Sequence, residues 1–261
     1  MKIYIFADIE GISGVYTREQ VLPNETRFSE GRSYMTADVN ACAAGCKAAG
    51  ADEVVVRDGH GGSYSLIWDR LTDDVDRVIC GCYRDGRFAE FDDADGIILL
   101  GYHAMAGTDH ATLEHTFSSV GVQNYWVNGE LAGEVAVDAY IAGDHGVPVI
   151  MVSGDDQVCA EAKSLLPWIE TAEVKRGLSS FAASLLPPQR AHVLIFDTAK
   201  AAVENIQKMK IAEYSKPVTL RTEYTERHNL PNPFANPWAK KIDGRTFEVT
   251  ADTMEEALFR C

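Results

Sequence analysis

Short apolar runs recur along this chain at 2–7, 53–57, 77–80, 96–100 and 147–152, and helical patterns lie between some of them. Lys2-Ile3-Tyr4-Ile5-Phe6 reads as a buried strand. A near-continuous apolar stretch of that length is what a strand covered on both faces requires. Residues 32–49 are Ala-rich and stop at Gly50, a good helix C-cap. Residues 132–143 place Ala136, Ala139 and Tyr140 at helical spacing, and Asp155 is a fitting N-cap for a helix over 156–165. Strands alternating with helices predict an α/β fold built on a mostly parallel, doubly wound sheet.

Residues 122–127 form another strand, followed by Asn128-Gly129, a turn signal that either a helix or a second strand can follow. After residue 180 the texture changes. Pro187-Pro188 starts a long helix to 209, then come a strand at 218–225, a loop with Pro231, Pro233 and Pro237, a strand at 246–250, and a final helix from Asp252. The predicted organisation is an α/β metal-binding catalytic core over 1–180 and a smaller α+β C-terminal lobe over 181–261.

The chemistry lies at the strand ends. The first run ends in Ala7-Asp8-Ile9-Glu10-Gly11, two carboxylates spaced i and i+2 and so on one face. Like charges converging there repel unless a cation sits between them. His60 follows the 53–57 strand and His103 follows the 96–100 strand; His110 and His115 come soon after. Three core strands therefore deliver possible ligands at their carboxyl ends, the edge where open α/β sheets bind. Any one histidine at a strand end is an ordinary loop residue; the convergence carries the argument. Neutral imidazole with carboxylate suits Zn²⁺ better than Mn²⁺ or Co²⁺. Asp58, two residues before His60, is placed to accept its second ring N–H. A further carboxylate is needed for two metal centres, and spacing alone leaves Glu130 and Glu134 both open.

Net charge of −15 argues against nucleic acid and anionic membrane partners. No run approaches a membrane span, and Asp8 and Glu10 interrupt what would be a signal-peptide core, so a cytoplasmic location is expected. Cysteines 42, 46, 80, 82, 159 and 261 show no zinc-finger spacing and read as reduced thiols, mostly small core residues. The H-E-x-x-H, G-x-S-x-G and P-loop templates are absent.

In order and spacing, Asp8 to Gly14, Arg32 to Met35, Asp58-Gly59-His60, Leu100 to Ala104, His115, Asn128 through Gly133-Glu134, Ala139 to Gly143 and Pro148 to Asp156 resemble the bacterial D-aminopeptidases of the DppA type, a zinc peptidase family. The resemblance runs over nearly the whole chain and is looser in its C-terminal third. It implies two zinc ions per chain. Asp8 looks like the bridging carboxylate, Glu10 and His60 like the other ligands of one ion, and His103 and Glu134 like those of the second. The Gly133-Glu134 match favours Glu134 over Glu130. His115 matches the residue assigned as nucleophile or base; with two zincs present, general acid or base is the better physical fit. The family architecture is a homodecamer, a double pentameric ring with its sites facing an internal channel. Arg57, Gly59 and residues 105–114 depart from the pattern and bear on substrate choice.

The expectation is a binuclear zinc aminopeptidase acting on short peptides with an N-terminal D-amino acid, such as D-Ala-D-Ala, with His115 moving the proton. Its rivals are another di-metal hydrolase, an amidase or a phosphoesterase for which Arg57 is the obvious phosphate-binding cation, and a non-catalytic metal-dependent peptide-binding protein. Val21, Leu22, Phe28 and Phe117 lie in long loops, where subunit contacts are expected.

Overall fold

The computed structural model describes residues 1–227, 230–232 and 234–261, so Pro233 of the proline-rich loop lies outside the described residues. The chain runs β1 (Lys2–Ala7), α1 (Phe28–Ala48), β2 (Glu53–Asp58), β3 (Arg77–Ile79), β4 (Gly96–Leu100), then β5 (Val122–Val127) and β6 (Glu130–Ala132). It continues through α2 (Glu134–Asp144), β7 (Val149–Asp155), α3 (Asp156–Leu165), β8 (Glu170–Ser179) and β9 (Ala182–Leu185). The last elements are α4 (Pro188–Glu204), β10 (Val218–Tyr224), β11 (Lys240–Lys241), β12 (Thr246–Ala251) and α5 (Met254–Phe259).

The main sheet has seven strands in the order β3-β2-β1-β4-β7-β8-β9. Every pair is parallel except β8 with β9. The α/β, mostly parallel, doubly wound fold expected from the sequence is the one observed. Alternation along β1 explains the two layers of core. Ile3, Ile5 and Ala7 join Val39 of α1 and Ile195 of α4 on one face. Tyr4 and Phe6 join Val137 of α2, Val158 of α3 and Leu220 of β10 on the other. The second sheet, order β11-β12-β10-β5-β6, is antiparallel throughout. It takes β5 and β6 from before residue 180 and its other strands from after it.

The local signals fix most elements to within a few residues. α1 starts at Phe28, four residues earlier than the Ala-rich run indicates. Asp155 caps α3 as expected, its carboxylate accepting the Gln157 and Val158 N–H groups at 3.1 and 3.0 Å. Asn128 and Gly129 both take positive φ, 51° and 92°, and turn β5 into β6 before α2 begins, so a short strand and then a helix follow the turn. α4 stops at Glu204, short of 209, and a 3₁₀ turn follows. β8 and β9 were not legible, because β8 mixes Lys, Arg and Glu among its buried Ala172 and Val174. β3 ends at Ile79, and Cys80 and Cys82 beyond it are exposed, so only Cys42, Cys46 and Cys159 are core thiols. Val21 is buried, and Leu22, Phe28 and Phe117 pack against the chain's own core, so these four fold inward. Among the described residues, no helix is long and apolar enough to cross a membrane.

Candidate metal centre

β1 lies between β2 and β4, with Ala7 in register with both Asp58 and Leu100. The chain moves from β1 to β2 and β3 on one side, while β4 lies on the other. The β1/β4 seam is therefore the switch point where doubly wound sheets open a crevice. The ladder continues past the strands. Asp8 N–H donates to the Leu100 carbonyl at 2.8 Å, Gly59 N–H to that of Ala7 at 2.7 Å, and Gly11 N–H to that of Gly101 at 2.7 Å. Only glycine allows this: a Cβ on Gly11 would lie 1.8 Å from the Tyr102 carbonyl oxygen. Gly101 takes φ +71°, and its Cβ would meet the Asp8 carbonyl oxygen at 2.5 Å.

These backbone contacts bring the strand-end side chains together. Ligand atoms of Asp8, Glu10 and His103 lie within 4.8 Å of one another, as do those of His103, His115 and Glu134. His103 Nε2 is 3.5 Å from Asp8 Oδ2 and 3.2 Å from Glu134 Oε1. His60 Nε2 lies 3.5 Å from Glu10 Oε1, outside both of those groups. His115 Nε2 is 3.8 Å from Glu134 Oε1, and its ring stacks on that of His103. Glu134 is the first residue of α2 and is buried; Glu130 is exposed on β6. His110 is exposed and, among the described residues, its ring pairs only with its neighbour Asp109.

Each imidazole is held by its far nitrogen. His103 Nδ1 faces its own chain's Ala104 carbonyl at 3.1 Å, and His115 Nδ1 faces that of Leu113 at 2.9 Å. Those carbonyls accept an N–H from Nδ1, which leaves Nε2 of each ring aimed at the carboxylates. Leu113 takes a left-handed φ of 57° to present that carbonyl. Such a conformation costs about 1–2 kcal/mol for a non-glycine residue and persists where the surroundings impose it. His60 Nδ1 meets Ser65 Oγ at 3.0 Å. Asp58 does not reach the ring. Its carboxylate accepts backbone N–H groups of His60, Ser65 and Leu66, and so holds the loop that carries His60.

The donor set fits a metal. Glu10 Oε2 and His103 Nε2 are both fully buried and, among the described residues, meet no group in hydrogen-bonding geometry. Buried polar atoms of this kind, gathered among carboxylates, are satisfied by a cation, whose charge takes the place of the imidazole proton. The electrostatics agree. Burial alone would raise the Glu10 carboxyl, but His60, His115 and His103 hold it well below the usual range. Burial would lower His103, yet Glu134 and Asp8 hold it well above the ordinary imidazole value. The carboxylates draw positive charge into the cluster.

Three contributors escaped sequence reasoning. The buried Lys175 of β8 donates through Nζ to the carbonyls of Glu10, Ile12 and Val15, pinning the loop after β1. Arg87 makes a bidentate pair with Asp138 at 2.7 and 2.8 Å, stands over the Phe6 ring, and places a guanidinium nitrogen 3.8 Å from Glu134 Oε2. Glu161 of α3 accepts the Met105 N–H at 2.9 Å, and burial pushes its carboxyl up to about 7. None sits at a strand's carboxyl end, so no local signal marked them. Arg57 is buried with its guanidinium over the Tyr83 ring.

A doubly wound sheet whose strand ends gather buried carboxylates and imidazoles defines the class of metal-dependent hydrolase. The sequence pattern of the D-aminopeptidase family matches residues 1–260, and the chain belongs to that family. It is 33% identical to the D-aminopeptidase of Bacillus subtilis (strain 168), over 98% of this chain and 90% of that protein. Its fold superposes on the Zn-dependent D-aminopeptidase DppA from Bacillus subtilis, described as a self-compartmentalizing protease, with TM-score 0.94 and 31% identity, covering 100% of this chain and 95% of the other.

Proposed function

We propose that this chain is a zinc-dependent aminopeptidase that removes an N-terminal D-residue from short peptides of the D-Ala-D-Ala kind. The observation that carries the reading is the pair of buried, unpartnered atoms, Glu10 Oε2 and His103 Nε2, facing one cluster at the β1/β4 seam. Asp8 would be shared between two zinc ions, with Glu10 and His60 completing one site and His103 and Glu134 the other. Zinc held there supplies Lewis acidity to the scissile carbonyl and lowers the pKa of water. His115, oriented by the Leu113 carbonyl, takes the proton from water and delivers it to the departing amine. Arg87 keeps the Glu134 carboxylate in place from the side away from His103 and His115.

The ring assembly belongs to the same proposal: ten subunits as two stacked pentamers, in the cytoplasm, with centres facing an enclosed space. It rests on the likeness to a self-compartmentalizing relative. Exposed aromatic side chains, Trp68 at 78% and Phe234 at 98%, are candidates for its contacts.

The test is a panel of D- and L-alanyl dipeptides and p-nitrophenyl phosphate assayed beside metal analysis. Turnover of D-dipeptides with about two zinc ions per chain supports the reading. Turnover of the phosphate ester alone replaces it with the phosphoesterase, and tight peptide binding without hydrolysis replaces it with a binding protein.

A further inference from the structure

A pocket of about 190 Å³ is lined by Glu10 and His115 of the centre, by apolar Val21 and Leu113, and by two charged side chains, Arg18 and Glu114. At roughly 30 Å³ per water it has room for about six waters, a space on the scale of one or two small residues. Its two charges do not neutralise each other. Glu114 accepts a hydrogen bond from the Ser180 hydroxyl at 3.2 Å. The Arg18 guanidinium is exposed and, among the described residues, makes no hydrogen bond or ion pair; it acts on its neighbour Glu19 only through its field. Arg18 opens the 3₁₀ turn Arg18–Gln20, whose Gln20 is fully buried and bonded to Tyr16 N–H and the Gly14 carbonyl, so the turn is fixed to the loop that carries Glu10.

An unpaired guanidinium beside a carboxylate-rich centre, in a chain of net charge −15, is chemically distinct from everything around it. It recognises an anion, and its planar fork matches a carboxylate. Resting on the aminopeptidase reading, we propose that Arg18 binds the free C-terminal carboxylate of a short peptide whose first peptide bond lies at the metal centre. Arg18 is then a specificity-determining residue: it favours peptides short enough for their carboxylate to lie in this pocket, and it disfavours carboxyl-blocked ones.

The test compares D-alanyl-D-alanine with D-alanyl-D-alaninamide, which share the scissile bond and differ in the terminal charge, on the zinc-loaded wild type, Arg18→Gln and Arg18→Lys. The wild type prefers the free acid. In Arg18→Gln the ratio of kcat/KM between acid and amide falls about tenfold, through KM, as loss of a charge-assisted pair predicts. Arg18→Lys recovers part of that ratio. An unchanged ratio in Arg18→Gln overturns the assignment of Arg18 while leaving the aminopeptidase standing. A wild type inactive on both substrates overturns the aminopeptidase reading and the Arg18 proposal with it.

Discussion

The rings of His103 and His115 lie stacked, with centroids 3.8 Å apart and planes 10° from parallel, and both turn Nε2 toward Glu134. Two imidazoles in that arrangement differ in what surrounds them. The His103 side chain is 1% exposed and surrounded by carboxylates, while that of His115 is 13% exposed and lines the pocket in which Arg18 lies. The proposed function gives the inner ring the part of a ligand and the outer one that of a proton carrier.

Replacing the outer ring separates those roles. His115→Ala is expected to lower kcat by about 10²–10⁴ with zinc content unchanged. Loss of an ion in that variant, measured by plasma emission on the dialysed protein, would make His115 a ligand.

Removing metal should abolish activity, and Asp8→Ala should be the most damaging ligand substitution. In the proposed binuclear centre Asp8 would serve both ions, and its loss would leave two cations in mutual repulsion. The check is zinc stoichiometry: near two per chain for wild type, and well below one for Asp8→Ala. A wild type that saturates at one ion would refute the binuclear centre.

The backbone approach at the seam makes a steric prediction. Gly11→Ala must push the Tyr102 carbonyl away, since the added Cβ would lie 1.8 Å from it. Zinc affinity should fall by about 10-fold or more, because ligand orientation is lost while every ligand remains. Competition with a chromogenic chelator measures it.

Lys175→Met removes the donor shared by three carbonyls in the buried loop after β1. The Ile12 carbonyl keeps the Val15 N–H at 3.2 Å, which leaves those of Glu10 and Val15; at about 1–3 kcal/mol for each unsatisfied buried acceptor, the apo protein should lose roughly 2–6 kcal/mol in urea unfolding. The variant should also release zinc at lower chelator concentration. Wild-type stability in Lys175→Met would show that the loop holds itself.

Asp144 at the end of α2 predicts an acid-sensitive link. It pairs with Lys216 at 2.6 Å and accepts the Tyr214 hydroxyl and the Met254 N–H, tying α5 and the start of β10 to α2. Burial would raise its carboxyl, but the bonds from Lys216 and Tyr214 hold it below the ordinary value of 3.8. A depressed folded value means the stabilisation is complete above the unfolded pKa and disappears as pH falls through the folded one. Asp144→Asn should therefore cost about 1–2 kcal/mol at pH 7 and progressively less below pH 4. An equal deficit at pH 7 and pH 3 would exclude the ionic origin.

Much of the fold was legible because its signals are local. Apolar runs such as 96–100 have the length and composition of strands covered on both sides, and Asp155 and Gly50 punctuate helices by backbone chemistry that needs no partner. The same holds for the residues at the strand ends: once parallel strands lie side by side, Asp8, His60 and His103 must share an edge.

What only the tertiary structure decided is which neighbours those residues meet. Sequence spacing left Glu130 and Glu134 equal, and the β5–β6 turn exposes one while seating the other at the head of α2. The spacing sets Asp58 against the His60 ring, but the loop's path gives its oxygens to backbone N–H groups. Lys175 carries no local signal; its role exists only because β8 pairs with β7 and its ammonium reaches three carbonyls of the loop after β1, more than 150 residues away in the chain. Local pattern fixes the element and the face a side chain takes. Strand order, register and loop path fix its partners, and those depend on the packing of the whole chain.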